Sequence, residues 1–378
     1  MKVAFFQPYL ANWRIEFLEY FTDKFKSGEV IVYDGGFGGK NDTKSVSGNK
    51  ARFSFKKLMS FSPVFKFKGQ IYPFYFSPFL FFNLVKDMPD VVVTEGEINF
   101  INNISILFYC FIFNKKYVWW SLGKVRTRKK NIVNKFLDPI VDFLLLRASC
   151  VMARNTLAQS YYINEKGINA SKVIVAPNSM NHHKVENFTE ENRVKLLKTK
   201  KNSQVMLYVG ALTDLKRPED LVFSLSALLE KNSDLDLQLW FVGDGPERTA
   251  LELLVKKLEI EEYVTFFGKV FDGVGLYFEE SDFVVVPGLG GLVINHAMIH
   301  GRPVISRLAD GTELDLIEDG VTGFLVGDYE ASTLVDKISL LLESDLQEMS
   351  KNCVNKVSNE WNIDIMYERA LECIYLEP

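Results

Sequence analysis

The sequence contains few of the features that mark membrane spans, metal sites or disulfide frameworks. Its longest apolar run, residues 104–113, is far shorter than the roughly 18 residues that a membrane-spanning helix needs. The chain opens as an apolar strand, so no secretory signal is predicted. The four cysteines are too scattered for a zinc site, and we expect reduced thiols in a cytoplasmic protein; they are Cys110, Cys150, Cys353 and Cys373.

Acidic residues are scarce in the first half of the chain. Of the 44 basic and 48 acidic residues, 25 and 13 lie within residues 1–180, a net charge of +12. The remaining residues carry 19 and 35, a net charge of −16. A chain of 378 residues exceeds the size at which one core keeps growing, so two domains are expected. The charge asymmetry indicates that the first domain faces an anionic partner.

Two apolar segments and one basic segment stand out in this first half. Residues 71–84 are densely aromatic and are predicted to lie mostly in the core, and residues 104–113 are predicted to form a buried helix. Residues 121–130 contain five lysines and arginines. That cluster is either a solvated loop or a contact with phosphates or an anionic membrane surface. Nucleic acid is not an expected partner, because no helix-turn-helix, RNA-binding or zinc-finger pattern is present.

A glycine-rich turn in the second half is the best candidate for a ligand site. Val284 to Val286 read as the end of a buried strand, glycines follow at 288, 290 and 291, and Leu292 to His300 have a helical pattern. Backbone N–H groups and the helix dipole favour an anion at such a turn. An ordinary strand-to-helix connection would use the same glycines, so the turn alone leaves both interpretations open.

Strands alternate with helices throughout residues 205–345, and more loosely in the first half. This alternation predicts doubly wound parallel sheets. The predicted α/β architecture is two Rossmann-like domains that face each other across a cleft, with a C-terminal helix that packs back on the first domain. The predicted divisions are residues 1–180, 181–355 and 356–378.

Short motifs in the second half follow a familiar order. They are Val209 to Leu212 with Lys216, Val242 to Pro246, Phe267-Gly268, Pro287 to Leu292, Ala297-Met298, Gly301 to Ile305, Glu313, and Asp319 to Val326. This series resembles the retaining glycosyltransferases of family 4, which have the GT-B fold. The resemblance covers residues 205–345. It extends to the first half through Pro8, Arg14, Phe17, Trp120, Gly123 and Val175 to Asn178.

The resemblance implies a nucleotide-diphosphate sugar of the UDP or GDP type as donor, and no metal or other cofactor. Lys216 has the spacing of the family lysine that neutralises the leaving diphosphate, and it is the predicted catalytic residue. An exposed loop lysine is the alternative. The predicted donor-binding residues are Gly210, Lys216, Arg217, Lys269, Val270, Leu289, Gly290, Gly291, Leu292, Val293, Asn295 and His296.

The sequence departs from the family pattern at the donor site. Family members usually carry two glutamates eight positions apart, and the aligned residues here are Gly288 and His296. The arginine that often follows the first-strand glycine is replaced by Ala211. Arg217 could substitute for it, and His296 or Asn295 could hydrogen-bond a donor hydroxyl. His296 and His300 have metal-compatible spacing, but no third ligand is evident nearby.

The basic first domain is the predicted acceptor-binding domain, with Arg14, Lys124 and Arg126 as candidate contacts. An oligosaccharide or lipid-linked acceptor in surface polysaccharide synthesis would explain its charge, at the cytoplasmic face of a bacterial membrane. The favoured function is therefore a hexosyltransferase. A catalytically silent partner or scaffold subunit is the alternative, and a nucleotide-sugar epimerase is disfavoured because the first domain lacks the expected acid and base residues.

Overall fold

The computed structural model describes most of the chain, in two compact units. The first unit runs to Asn181 and includes Ile363 onward, and the second is His182–Asn362. The predicted C-terminal segment, residues 356–378, is therefore shared between the units: residues 356–362 belong to the second and the residues from Ile363 onward to the first. The described residues are 1–36, 53–61, 63–67, 70–73, 75–123, 132–184, 188–200, 203–327 and 331–377.

The first unit contains a seven-stranded parallel sheet with strand order β3-β2-β1-β6-β7-β8-β9. Its strands are near-continuous apolar runs because both faces are covered. A two-stranded antiparallel hairpin, β4-β5, lies outside this sheet. The strands are β1 (Lys2–Gln7), β2 (Glu29–Asp34), β3 (Ser54–Lys57), β4 (Val64–Phe67), β5 (Gln70–Pro73), β6 (Val91–Glu95), β7 (Lys116–Ser121), β8 (Cys150–Ala153) and β9 (Val173–Val175).

Helices cover this sheet on both faces. One core contains Phe5, Phe17 and Trp120, and the other contains Phe6, Tyr109 and Trp119. The helices are α1 (Asn12–Lys24), α2 (Leu80–Asp87), α3 (Phe100–Ile112), α4 (Ile132–Leu145), α5 (Thr156–Ser160) and the C-terminal α14 (Ile363–Tyr375).

Two predictions about this unit are wrong. Cys150 on β8 and Cys373 on α14 form a disulfide, while Cys110 and Cys353 are free and buried. The pairing has a sequence separation of 223, so spacing could not reveal it; it arises because α14 packs on β8.

The aromatic segment also differs from its prediction. Phe76, Phe79 and Phe82 are exposed, and α3 exposes Phe108 and Phe111, so neither apolar segment is wholly core. Composition does not distinguish an inward face from an outward one when both are apolar. Within the described residues, no helix is both long and apolar enough to cross a bilayer.

The second unit contains a six-stranded parallel sheet with order β12-β11-β10-β13-β14-β15. Its strands are β10 (Gln204–Val209), β11 (Leu237–Val242), β12 (Val264–Gly268), β13 (Phe283–Val286), β14 (Val304–Arg307) and β15 (Gly323–Val326). Its helices are α6 (Glu190–Lys200), α7 (Glu219–Lys231), α8 (Arg248–Lys257), α9 (Gly275–Glu280), α10 (Leu292–Ile299), α11 (Thr312–Leu316), α12 (Ala331–Leu342) and α13 (Leu346–Glu360). The prediction of two doubly wound parallel sheets is confirmed.

Candidate functional site

The second sheet has a topological switch point between β10 and β13. The chain moves outward in one direction through β11 and β12, then returns to pair β13 with β10. Ligands of open parallel sheets bind outside the carboxyl ends of the strands at such a point. Gly210 follows β10 and Gly288 to Gly291 follow β13, so the predicted glycine-rich turn lies at this place.

Lys216 is positioned over the switch point. It ends a short helical turn, Asp214–Lys216, and its Nζ donates to the carbonyl of Leu289 at 3.1 Å. A hypothetical Cβ on Gly210 would lie 3.3 Å from the same Nζ. The ammonium group therefore lies between the ends of β10 and β13, where both glycine segments approach it.

Keeping the Lys216 side chain charged costs free energy in the folded state. Burial lowers the pKa of its ammonium group, and Asp310 only partly opposes that shift. Within the described part of the chain, no carboxylate oxygen forms an ion pair with it; its recorded acceptor is the Leu289 carbonyl. A half-buried cation without a paired carboxylate is stabilised when an anion binds beside it.

Gly288 leaves no room for a side chain such as the glutamate that the resemblance places at this position. A Cβ there would lie 2.7 Å from the Leu215 carbonyl oxygen and 2.9 Å from the Lys216 Cα. Any side chain would push the Lys216 turn away. Gly291 has φ +35°, and a Cβ there would lie 2.8 Å from Asp310 Oδ2. These glycines permit backbone approaches that other residues would block.

The turn leads into α10 with its N-terminus at the same edge of the sheet. Leu292 begins the helix, as predicted, and Gly301 follows it with φ +67°. The N–H of Val293 donates to the Gly290 carbonyl at 3.2 Å. That amide is therefore engaged within the turn, and the N–H groups of residues 290–292 are the candidates for contact with a bound anion.

The two side chains predicted to replace the lost glutamate occupy different environments. Asn295 is fully buried and donates to the Trp361 carbonyl at 2.8 Å, so it serves packing of α10. His296 is half-buried, with its ring 4.6 Å from that of Phe278 and 5.3 Å from that of His300. Of these two positions, only His296 is partly accessible.

Arg217 is held by a carboxylate. Its Nε and Nη2 donate to the two oxygens of Asp220, each at 2.8 Å. The buried Arg307, at the end of β14, donates to the same carboxylate at 3.1 Å. Sequence reasoning missed Arg307 and Asp220, which are 87 residues apart and carry no joint motif.

Glu313 organises the loop that follows β14. Its buried carboxylate accepts hydrogen bonds from the N–H groups of Ala309 and Gly311. Burial raises the pKa of this carboxyl, which those N–H groups partly oppose. The sequence motif included Glu313, but its role in shaping the loop appears only in the structure.

The remaining predicted residues lie at the margin of this site or outside the described residues. Lys269 is exposed and Val270 half-buried, just after β12, and the Lys269 Nζ lies 5.0 Å from the Phe271 ring centroid. Lys124 and Arg126 fall outside the described residues. Arg14 belongs to a different cluster, in the first unit.

The first sheet has its own switch point, between β1 and β6. Glu95 ends β6, and Arg14 lies in the first turn of α1, which follows β1. The Glu95 Oε1 atom accepts from Arg14 Nη2 at 3.1 Å and from Arg154 Nη2 at 2.6 Å. The Arg14 guanidinium lies 3.6 Å from the Trp120 ring centroid and 4.3 Å from that of Trp13.

This arginine cluster, Arg14, Glu95 and Arg154, has two cations on one carboxylate. Arg14 is 1% exposed, whereas Arg154 and Glu95 are each 14% exposed. Among the described residues, Arg14 Nε and Nη1 and Arg154 Nε have no hydrogen-bond partner. Burial lowers the pKa of Arg14 well below its usual range, and the adjacent Arg154 acts in the same direction.

Residues 188–359 match the sequence profile of the family Glycosyl transferases group 1. A Bacillus anthracis protein named N-acetyl-alpha-D-glucosaminyl L-malate synthase is 29% identical over 46% of this chain and 41% of its own length. The chain thus spans under half the length of that relative. A Haemophilus influenzae protein named an uncharacterized glycosyltransferase is 25% identical over 84% of this chain and 88% of its own.

Solved structures match nearly the whole chain. Anabaena HepE in complex with UDP has a TM-score of 0.77 at 18% identity, covering 98% of this chain and 99% of its own. The apo lipopolysaccharide outer core galactosyltransferase WaaB has a TM-score of 0.70 at 16% identity, covering 99% of each chain. At these identities the likeness shows the fold: the two doubly wound sheets are those of GT-B proteins.

Proposed function

Because residues 188–359 match the profile of the family Glycosyl transferases group 1, we propose that the chain is a retaining glycosyltransferase. It transfers a sugar from a nucleotide-diphosphate sugar to an acceptor hydroxyl. The second unit binds the donor and the first unit binds the acceptor. UDP is the first donor nucleotide to test, since the HepE structure was solved with UDP.

The position of Lys216 is the observation that carries this proposal. Its ammonium group lies at the switch point, against Gly210 and the Leu289 carbonyl, and its burial is unfavourable without an anion beside it. A leaving nucleotide diphosphate would supply that anion. Lys216 and the amides of residues 290–292 would then stabilise the charge that develops as the glycosidic bond to the diphosphate breaks.

Thermal unfolding with UDP, GDP and ADP tests the donor site. A nucleotide at 100 times its Kd adds about 2.7 kcal/mol of stability, which shifts the midpoint visibly. We expect one nucleotide to raise the unfolding midpoint of the native chain. The same nucleotide should raise the midpoint of Lys257→Ala, an exposed control, but not that of Lys216→Ala. No shift with any nucleotide would remove the donor-binding proposal.

A catalytically silent partner subunit is the second candidate, since Gly288 and His296 replace the family glutamates. A turnover assay distinguishes the two candidates. If a nucleotide binds but its sugars are neither hydrolysed nor transferred, the silent subunit is favoured. For an active enzyme, the anomeric configuration of the product decides retention. Unchanged turnover in EDTA is expected, because Lys216 and backbone amides do the neutralising.

We further propose that the acceptor is a lipid-linked glycan of surface polysaccharide synthesis, met at the cytoplasmic face of a bacterial membrane. The support is an outer apolar face on the first unit, where α3 packs between α2 and α4. Phe111 is 83% exposed and Phe82 66%, and α3 contains no charged residue. The outer apolar face comprises Phe82, Ile104, Phe108, Phe111, Ile140 and Phe143.

An anionic bilayer fits this face better than a water-exposed role. Contiguous apolar patches mark membrane or protein contacts, and the net charge of +12 within residues 1–180 favours anionic lipid headgroups. The Arg147 guanidinium also lies 4.2 Å from the Phe143 ring centroid, at the margin of the face. Aromatic side chains and basic residues together are typical of interfacial binding.

Sedimentation with vesicles tests this contact. We expect binding to vesicles of phosphatidylglycerol and phosphatidylcholine, and weaker binding to phosphatidylcholine alone. Phe108→Ser with Phe111→Ser should reduce binding, whereas Phe223→Ser, an exposed phenylalanine of the second unit, should not. Neutralising the basic residues of 124–130 should also reduce it. Equal sedimentation of all these variants would contradict the membrane proposal.

A further inference from the structure

The arginine cluster of the first unit has the properties of an anion site. Arg14, Glu95 and Arg154 bring two guanidinium groups and one carboxylate together, a net charge of +1 in a mostly buried place. Both arginines donate to the same oxygen atom of Glu95. One carboxylate cannot compensate two cations, and a buried uncompensated charge is costly.

The hydrogen-bond donors of the cluster are also incompletely used. Arg14 is more than nine-tenths buried, yet its Nε and Nη1 have no partner among the described residues, and the same holds for Arg154 Nε. Buried donors normally find acceptors, because an unmade hydrogen bond costs the desolvation of the group. The cluster therefore lacks acceptor atoms as well as negative charge.

The surroundings direct a ligand to Arg154 rather than to Arg14. The two tryptophan rings enclose the Arg14 guanidinium. Arg14 therefore positions the Glu95 carboxylate and does not face the ligand. Arg154 and Glu95 retain some exposure, and Tyr9, which is 40% exposed, follows β1 at the same edge of the sheet. Burial and the Glu95 carboxylate both raise the pKa of the Tyr9 hydroxyl, which keeps it a hydrogen-bond donor.

We propose that the arginine cluster binds a phosphate group of the acceptor, with Arg154 and Tyr9 as its contacts and Arg14 as a positioning residue. Guanidinium groups recognise phosphate with paired N–H donors, and the site lies at a switch point, where ligands of parallel sheets bind. This inference rests on the proposed function, because it names the chemistry of that enzyme's acceptor. The phosphate belongs either to a lipid-linked acceptor or to a soluble one.

The test measures stabilisation by inorganic phosphate at constant ionic strength, with chloride and acetate as references. It is made in the Lys216→Ala background, so that phosphate at the donor site does not contribute. We expect phosphate to stabilise this protein, and Arg154→Gln to weaken the phosphate affinity at least tenfold. Arg369→Gln, an exposed arginine on α14 of the same unit, should leave the affinity unchanged.

Glu95→Gln provides a readout that a structural role would not produce. It removes the carboxylate that competes with the ligand, so phosphate should bind several-fold more tightly even though the variant is less stable. Equal stabilisation by acetate and phosphate, or equal responses of Arg154→Gln and Arg369→Gln, would overturn the proposal.

Two further measurements separate this proposal from the proposed function and identify the source of the phosphate. Arg154→Gln, with Lys216 intact, should keep the native response to nucleotide, so loss of the phosphate response alone leaves the donor assignment standing. Vesicles of phosphatidic acid and phosphatidylcholine, compared with glycerol phosphate in solution, distinguish a lipid phosphate from a soluble one. If neither competes with inorganic phosphate, the acceptor assignment is wrong.

Discussion

The two switch points place cations at equivalent positions of two similar sheets, but they do so by different means. In the second unit, one lysine lies against glycines and a backbone carbonyl. In the first, two arginines share a carboxylate and lie against tryptophan rings. The second site depends on close approach of the backbone, and the first on side chains from distant segments of the chain. Under the proposed function, Lys216 would act only on a bound ligand, whereas the arginine cluster would also support the fold.

The largest expected effect is on catalysis in the second unit. Lys216→Ala should lower kcat by about 10²–10³-fold, the usual cost of removing one donor to a developing negative charge. Its stability should not fall, since Lys216 forms no ion pair among the described residues and its partly buried charge is itself unfavourable. Steady-state kinetics with the identified donor would measure this, with Lys257→Ala as control. Equal rates for the two variants would exclude Lys216 from the reaction.

The matching change in the first unit should act on stability instead. Glu95→Gln leaves two largely buried guanidinium groups without a carboxylate, and should lower the free energy of unfolding by about 3 kcal/mol, the lower end for a broken buried pair. The control is Glu29→Gln, whose ion pair with Lys2 is solvent-exposed and should contribute less than about 1 kcal/mol. Urea denaturation would compare them. A loss no larger than that of Glu29→Gln would show that the arginine cluster does not support the fold.

Restoring the family glutamate should damage the second site. Gly288→Glu places atoms where the Leu215 and Lys216 backbone already lies, and should cost about 1–3 kcal/mol of stability through overpacking. It should also weaken nucleotide binding, because the Lys216 turn must move. Gly327→Glu is the control, since nothing lies within 4 Å of a Cβ there. Tighter nucleotide binding by Gly288→Glu would contradict this account.

The smallest expected effect is a pH dependence. Burial lowers the pKa of Lys216 in the folded state below its ordinary 10.5. In the interval between the lowered value and 10.5, the unfolded chain binds more protons, so stability contributed by this residue rises with pH. Below that interval Lys216 is charged in both states, and the burial of its charge lowers the free energy of unfolding by the full amount. Lys216→Met should remove this rise. Urea denaturation from neutral pH to pH 10.5 would detect the change as a difference between the two slopes of stability against pH.

Sequence reasoning succeeded where the structural cause is local. The strand before Gly288, the helix from Leu292 and its end at Gly301 depend on neighbouring residues, and the structure places all three as predicted. It failed where the cause is distant in the chain. Asn295 sits beside His296 in sequence, yet only the packing of α10 against Trp361 shows that its side chain is buried.

The first unit was harder to anticipate for the same reason. The sequence predicts Arg14 as an acceptor contact, but its partners Glu95 and Arg154 lie 81 and 140 positions later in the chain. The sequence predicts that residues 71–84 lie mostly in the core and that residues 104–113 form a buried helix, yet Phe82, Phe108 and Phe111 are exposed. Composition cannot assign a side chain to one face of a helix. When both faces of a helix are apolar, the apolar periodicity does not identify the buried face.

By itself, the sequence determined the alternation of strands and helices, the glycine turn and the charge difference between the halves. Those properties follow from local periodicity, backbone freedom and residue counts. Tertiary structure alone decided that Lys216 reaches the Leu289 carbonyl, that Cys150 meets Cys373, and that two arginines converge on Glu95. The physical reason is that parallel strands bring the ends of distant segments to one edge, and contacts made there leave no pattern along the chain.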